Sequence, residues 1–364
     1  MASIVGNSDR RALLNVILKE LTSDVKSPAY DYLKNSLVSS RPHLVGALAC
    51  AAETNKEEVL SSSFPHDDCE FLLNTSNDEF YQLFKFRKQT IKDLIQLMEH
   101  RLLEGEDEDG TPVTVTKKVL MTCWLMTSAE EYFMASEVFN ISVSSVVHIF
   151  LEVCEELTKL TAQFVNWPSD AEQTSIIEAF EMTYGFPGVV GVIGSTAFNI
   201  SHPVILSDDN HYYNPASDQH SIVIQAVCDQ HMVFRDVCAG VPSRRTSAEI
   251  LRDSPLYLRL VNRSDPLMKP QTFILGSSDY PQLPNLLTPY APEARGRPLD
   301  NTESSFNKQH AAVESIIHKC FDILRVRFSK LKYINIPDNS KATHVVLAAC
   351  VLHNFALFRG DIMI

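Results

Sequence analysis

Apolar residues recur at three- and four-residue spacing through the first 160 positions, then shift to short continuous runs bounded by turn residues. The first pattern predicts amphipathic helices, the second buried strands. Helical segments are expected near 9–22 and 43–52, followed by the breaker SSSFPHDD at 61–68. A further helix is expected over 78–103, with Phe80, Leu83, Phe84, Phe86, Ile91, Leu94, Ile95 and Leu97 on its apolar side. Two more are expected over 116–126 and 131–141. Ser142 stands where an N-cap would, ahead of VSSVVHIFLEVCEELTKL.

After Pro168 the texture changes. Strands are expected at 189–194, 203–206, 221–229, 232–240 and 272–278, with a hairpin turn over Asp229 to His231. Helices are expected at 247–261, 310–332 and 341–358. Strands, then a strand between helices, then closing helices describe a mixed α/β (α+β) domain. Three regions are expected: an N-terminal helical extension over 1–70, a helical bundle over 71–175 and an α/β domain over 176–364.

The helix–turn–helix pattern of 131–160 has two readings, a DNA-reading motif and a packing pair in a small bundle. Its second helix carries Glu152, Glu155 and Glu156 against one Lys159. A helix that reads DNA presents Arg, Lys, Asn or Gln instead. The bundle reading is therefore preferred, and the run EGEDEDG at 104–110 is read as a solvated acidic loop.

Charge sharpens this. The 364 residues hold 32 Lys plus Arg against 45 Asp plus Glu, a formal charge of −13. A surface built to grip phosphates has the opposite balance, although a local basic patch remains compatible with it. The eight cysteines show no CxxC, which excludes a zinc ribbon and a disulfide framework and points to a reducing compartment. No signal peptide or membrane span is expected. The most apolar run, HVVLAACVLHNFALF at 344–358, is interrupted by His353 and Asn354 and reads as a buried helix.

Five segments, GVIGSTAF (191–198), SIVIQAVCDQHMVF (221–234), ILGSSDY (274–280), FNKQHAAVESIIHKCFDILRVRF (306–328) and AACVLHNF (348–355), occur in this order. In this respect the chain resembles the Harbinger-type DDE transposases and their domesticated nuclease relatives, over roughly residues 75–358. The resemblance implies an RNase H-like domain behind a helical, helix-turn-helix-bearing region. It also implies two Mg²⁺ ions held by Asp, Asp and Glu, since a hard cation needs carboxylate oxygens to share with a phosphodiester.

At those positions this sequence departs from the family. The first motif places Gly194 where the family has aspartate and Ala197 where it has histidine. The second places Ser277 at an aspartate, with Asp279 two residues on and about 6–7 Å further along an extended strand. Counting back from Phe321 places His318 at the glutamate, with Glu314 one turn earlier, displaced by ~6 Å. Ser247 stands at a further acidic position. A hydroxyl and an imidazole lack the negative charge that two Mg²⁺ ions require, so no cofactor is expected. The resemblance thus implies a catalytically inactive scaffold that binds a Myb/SANT-like or other chromatin or transcription protein. A nuclear address follows, with a cytoplasmic pool left open.

The alternatives are two. One is a metal-dependent nuclease, with Mg²⁺ or Mn²⁺ in a site rebuilt from Asp279, Glu314 and His318, with Asp229 as a further ligand. The other is a non-cleaving DNA-binding protein using the basic residues Arg244, Arg245, Lys319, Arg325, Arg327, Lys330 and Lys332. Bland roles are expected elsewhere. Val313, Ile317, Phe321, Leu324 and Phe328 form one core face of a helix, with His318 off to its side. His353 and Asn354 are expected to be a hydrogen-bonding pair in a buried helix, and Asp229 to organise its hairpin turn.

Overall fold

The structure is a computed structural model describing residues 70–362, apart from 109, 129, 202–210, 215–217, 263–266 and 293–295. The helices expected near 9–22 and 43–52, and the strand at 203–206, lie outside the described residues. The chain divides into two units between Lys92 and Asp93.

In the first unit α1 (Glu70–Asn74) precedes α2 (Asn77–Phe84), which opens on a capping box between Ser76 and Glu79. The single helix expected over 78–103 is broken. Lys85 takes φ 55° and caps α2 by donating its N–H to the Tyr81 carbonyl, and α3 starts again at Lys88, running to Met98. Phe80 and Phe84 on α2 and Ile91, Leu94 and Ile95 on α3 are all buried. Apolar spacing alone does not register a short break between two helices that both bury an apolar face.

The boundary falls within α3, and after it comes a small hairpin of β1 (Gly105–Glu106) and β2 (Pro112–Val113). Next come α4 (Val115–Thr127), α5 (Tyr132–Phe139), α6 (Val143–Thr158), α7 (Thr161–Phe164) and α8 (Asp170–Tyr184). α4 is buried almost all round, as a helix apolar on every side must be. Ser142 is the N-cap of α6, its hydroxyl accepting from Ser145 N–H.

The sheet follows: β3 (Val189–Asn199), β4 (Tyr213–Asn214), β5 (Gln219–Cys228) and β6 (Phe234–Pro242), then α9 (Ser247–Asp253), α10 (Pro255–Val261), β7 (Phe273–Leu275) and β8 (Leu286–Leu287). The helix expected over 247–261 is split because Ser254 closes α9 and caps α10, with Pro255 at its first position. α11 (Asn301–Arg327), a 3₁₀ turn over Ser329–Lys332 and α12 (Asn339–Phe358) complete the unit. Strand order is β6-β5-β3-β7-β8, with β4 added at the start of β5. β3 is antiparallel to β5 and parallel to β7, and β8 is parallel to β7. This mixed α/β arrangement, with helices on both sheet faces, is that of an RNase H-like domain.

β3 is the central strand, and its first six residues are buried. On one face Val190 and Ile193 join Val227, Leu251, Leu256, Leu260 and Ile274 in a core under α9 and α10. On the other face lie α11 and α12. α12 is long and apolar enough to cross a bilayer, yet two-thirds of its apolar window is buried within the protein, as in a core helix.

Polar contacts tie α12 to the β5–β6 hairpin. The Asn354 side chain accepts from Phe234 N–H at 2.9 Å and donates to the Phe234 and Phe164 carbonyls at 2.8 Å each. His353 Nε2 lies 2.8 Å from the Met232 carbonyl. Burial lowers the His353 imidazole to about 4, the bond to Met232 opposing and nearby Arg327 reinforcing the shift. On the opposite sheet face Asp236 is pushed up to about 6 by burial, with Arg259 opposing.

Replacing Asn354 with Leu keeps the volume but strands three buried backbone groups, so a loss of about 2–4 kcal/mol is expected in urea unfolding. The pH dependence follows from the two shifted groups. Between pH 6.5 and about 4 the unfolded chain binds a proton that folded His353 refuses, so stability drops as acid is added. Asp236 does the reverse: between about 6 and 3.8 the folded form holds a proton the unfolded form releases, so acid stabilises. Asp236→Asn removes the compensating half. Its Tm should fall more steeply than the wild type's between pH 6.5 and 4.5; parallel curves would refute the assignment.

Candidate functional site

Gly194 sits in the middle of β3 on the face toward α11. A Cβ built there would stand 2.9 Å from Cγ2 and 3.0 Å from Cγ1 of Ile317. The room for a side chain at the family's first aspartate position is thus taken by an isoleucine. Ile317 is fully buried, whereas His318, about 100° further round the helix, is exposed. The residue that register assigns to the glutamate therefore does not point at Gly194.

Ser277 follows β7, its hydroxyl accepting weakly from Asp279 N–H at 3.3 Å, and Asp279 is exposed. Glu314 is half-buried one turn before Ile317, with its carboxylate 3.6 Å from His310 Nδ1. Both carboxylates bear on Tyr280. Burial raises the Tyr280 phenol above its ordinary value; the Ser195 and Ser247 hydroxyls oppose this, and Asp279 and Glu314 add to the rise. Ser195 Oγ and Ser247 Oγ are 2.9 Å apart, so the acidic position at 247 now serves a hydroxyl pair.

The rebuilt site does not assemble. Among the described residues no three His, Cys, Asp or Glu side chains converge as metal ligands. Asp229 is fully used in its turn: Oδ1 accepts from His231 N–H at 2.8 Å and Val233 N–H at 3.1 Å, and Oδ2 from Arg235 Nε at 2.8 Å. The residues present thus do not fit the two-metal set that the resemblance implies.

The basic candidates also separate. Arg327 is 2% exposed, donating to the Asp361 carbonyl at 2.7 Å. Lys330 is buried with Nζ 4.2 Å from the centroid of the Tyr132 ring, and burial lowers its pKa. Both are too deeply buried to reach a nucleic acid, which their positions in the sequence do not reveal. Arg325 donates to the Thr196 hydroxyl and lies over the Phe198 ring at 5.2 Å. Arg245 pairs with Asp253. Lys319, Lys332 and Arg244 are exposed.

The axes of α5 and α6 bend by 101°, within the range of a helix-turn-helix. The motif is packed into the domain: α6 lies along α12, where Thr158 Oγ1 approaches the His344 carbonyl at 3.3 Å. The acidic run is not a free loop. Asp107 Oδ2 accepts from Ser142 N–H at 2.9 Å and Glu108 from the Ser144 hydroxyl at 2.8 Å, which fixes the β1–β2 hairpin over the start of α6. Sequence reasoning missed this clamp. A carboxylate at a helix N-terminus is favoured by the unsatisfied N–H groups there, but its partner lies thirty-five residues away.

The family model described as "DDE superfamily endonuclease" matches residues 193–354, from β3 to α12. Over 84% of its length, and 84% of the relative's, the chain is 25% identical to the Arabidopsis thaliana protein named "Antagonist of Like Heterochromatin Protein 1". It is also 25% identical to "Protein ALP1-like" of the same plant, covering 79% of this chain and 73% of that one. The Homo sapiens protein named "Putative nuclease HARBI1" is 27% identical, covering 80% and 81%. Over about four-fifths of its length the chain is thus similar to members of the Harbinger transposase-derived nuclease family. No solved structure matches it.

Restoring the carboxylate tests the packing at β3. Gly194→Asp should cost about 2–4 kcal/mol in urea unfolding, because the new side chain must displace Ile317 and bury a charge. In that background Ile317→Ala should cost at least ~1 kcal/mol less than in the wild type, since the truncation opens the space. Strict additivity would refute the contact.

Proposed function

We propose that this protein is a domesticated Harbinger-derived scaffold that has lost the nuclease chemistry of its family and works in the nucleus by binding a chromatin or transcription protein. The observation that carries this reading is Ile317 filling the side-chain space at Gly194. A metal-bridging carboxylate is the one group a two-metal hydrolysis cannot do without at that strand. Ser277 and the outward His318 leave the other two positions without negative charge.

The binding role draws on two further facts. The helix-turn-helix is built and packed, yet α6 offers no Arg, Asn or Gln to a groove. One relative is named as an antagonist of a heterochromatin protein. A Myb/SANT-like protein or another chromatin protein is the partner class, with any DNA contact limited to cations such as Lys319, Lys332 and Arg244. The same proposal divides the chain into a helical extension over 1–70, a helical bundle over 71–175 and an RNase H-like domain over 176–364.

The rival reading is a nuclease with a metal site rebuilt from Asp279, Glu314 and His318. A plasmid-nicking assay separates the two. Purified protein with Mg²⁺ or Mn²⁺, run beside an active relative, should leave supercoiled DNA intact. Nicking that disappears in Asp279→Ala would establish the rival.

A further inference from the structure

One side of α6 is buried through Val146, Ile149, Phe150, Val153, Cys154 and Leu157. The other side is exposed among the described residues, and its chemistry is specific. Val143, Val147 and Leu151 follow one another at four-residue spacing, within an arc of about 80° at ~100° per residue, and remain wholly or partly exposed. Beside this stripe lie Ser144, His148 and Glu155.

The stripe is bordered by acid. At its start stands the β1–β2 hairpin, where Asp107 and Glu108 hold Ser142 and Ser144 and where Glu104 and Glu106 are exposed. At its far end are Glu155 and Glu156, with Lys159 paired to both. Residues 99–160 contain twelve Asp or Glu against four Lys or Arg, a net −8 out of the chain's −13. Of those four bases, Lys117 and Lys118 are buried in α4, and Lys118 is paired with Glu152.

We propose that this face of α6, with the acidic hairpin as its rim, is a docking surface for a basic amphipathic helix of a partner protein. The inference rests on the scaffold reading and names the surface it would use. Apolar ridges four residues apart accept the matching ridge of another helix. The acidic border selects Lys or Arg flanking that ridge. It also excludes the two other occupants: a second copy would set the same negative border against itself, and DNA would bring phosphates to it.

The test uses the full chain and a fluorescein-labelled twenty-residue helical peptide with Leu at i, i+4 and i+7 positions and Lys on the flanks, read by anisotropy. Binding should weaken with salt, and should fall at least tenfold with Leu151→Asp and with the exposed charge reversal Glu155→Lys. It should be unchanged by Glu178→Lys on α8, an exposed acid outside this face. A peptide with the same lysines but Ser for Leu should bind at least tenfold more weakly. Equal loss in Glu178→Lys, equal binding of the Ser peptide, or displacement of the peptide by a twenty-base-pair duplex would overturn the surface. The scaffold reading is decided separately by the nicking assay and survives failure here.

Discussion

Everything in the domain is arranged around the approach of α11 to β3 at Gly194. β3 is the strand on which both halves of the sheet are registered, antiparallel to β5 on one side and parallel to β7 on the other. A helix can come this close to the strand only because position 194 has no Cβ, and Ile317 closes the gap. Close packing leaves no room for a second occupant. The same contact that completes the core therefore fills the space into which a side chain at position 194 would project.

The rest of the polar interior is built to the same end. Asp229, Arg235, His353 and Asn354 would look, as a list, like the parts of an active site. In place, each is consumed by the backbone of the β5–β6 hairpin or by its neighbour. Burial holds His353 neutral, and a neutral imidazole that donates to a carbonyl is a structural clamp. The hydrogen bonds of these four side chains fix the hairpin against α12 in a single arrangement.

How far this was legible in the sequence differs by element. β3, β5 and β6 and the turn at Asp229 were readable because buried strands in a parallel or central position appear as unbroken apolar runs. The Ser142 cap and the Asn354 pair were readable because small polar residues at a helix start, or inside an apolar helix, have few roles. The break at Lys85 and the split at Ser254 were not, since an apolar face continues across both. Arg327 and Lys330 were misjudged because a cation beneath an aromatic or against a carbonyl looks the same in sequence as one in solvent. The close approach at Gly194 needed coordinates: sequence shows a missing acid, and only packing shows that its space has been filled.

The distribution of charge closes the argument. An acidic chain built on the frame of a DNA-processing enzyme is a contradiction only if its charge is taken as an average. Most of the excess lies between residues 99 and 160, in the region where the frame carries its helix-turn-helix. There the acids do two things that lysines could not: they cap the start of α6, and they ring its open face with negative potential. A carboxylate already held at the start of a helix sets its charge against a phosphate approaching there. The helix that stands where other proteins read DNA thus carries acid at both ends and an exposed apolar stripe between them.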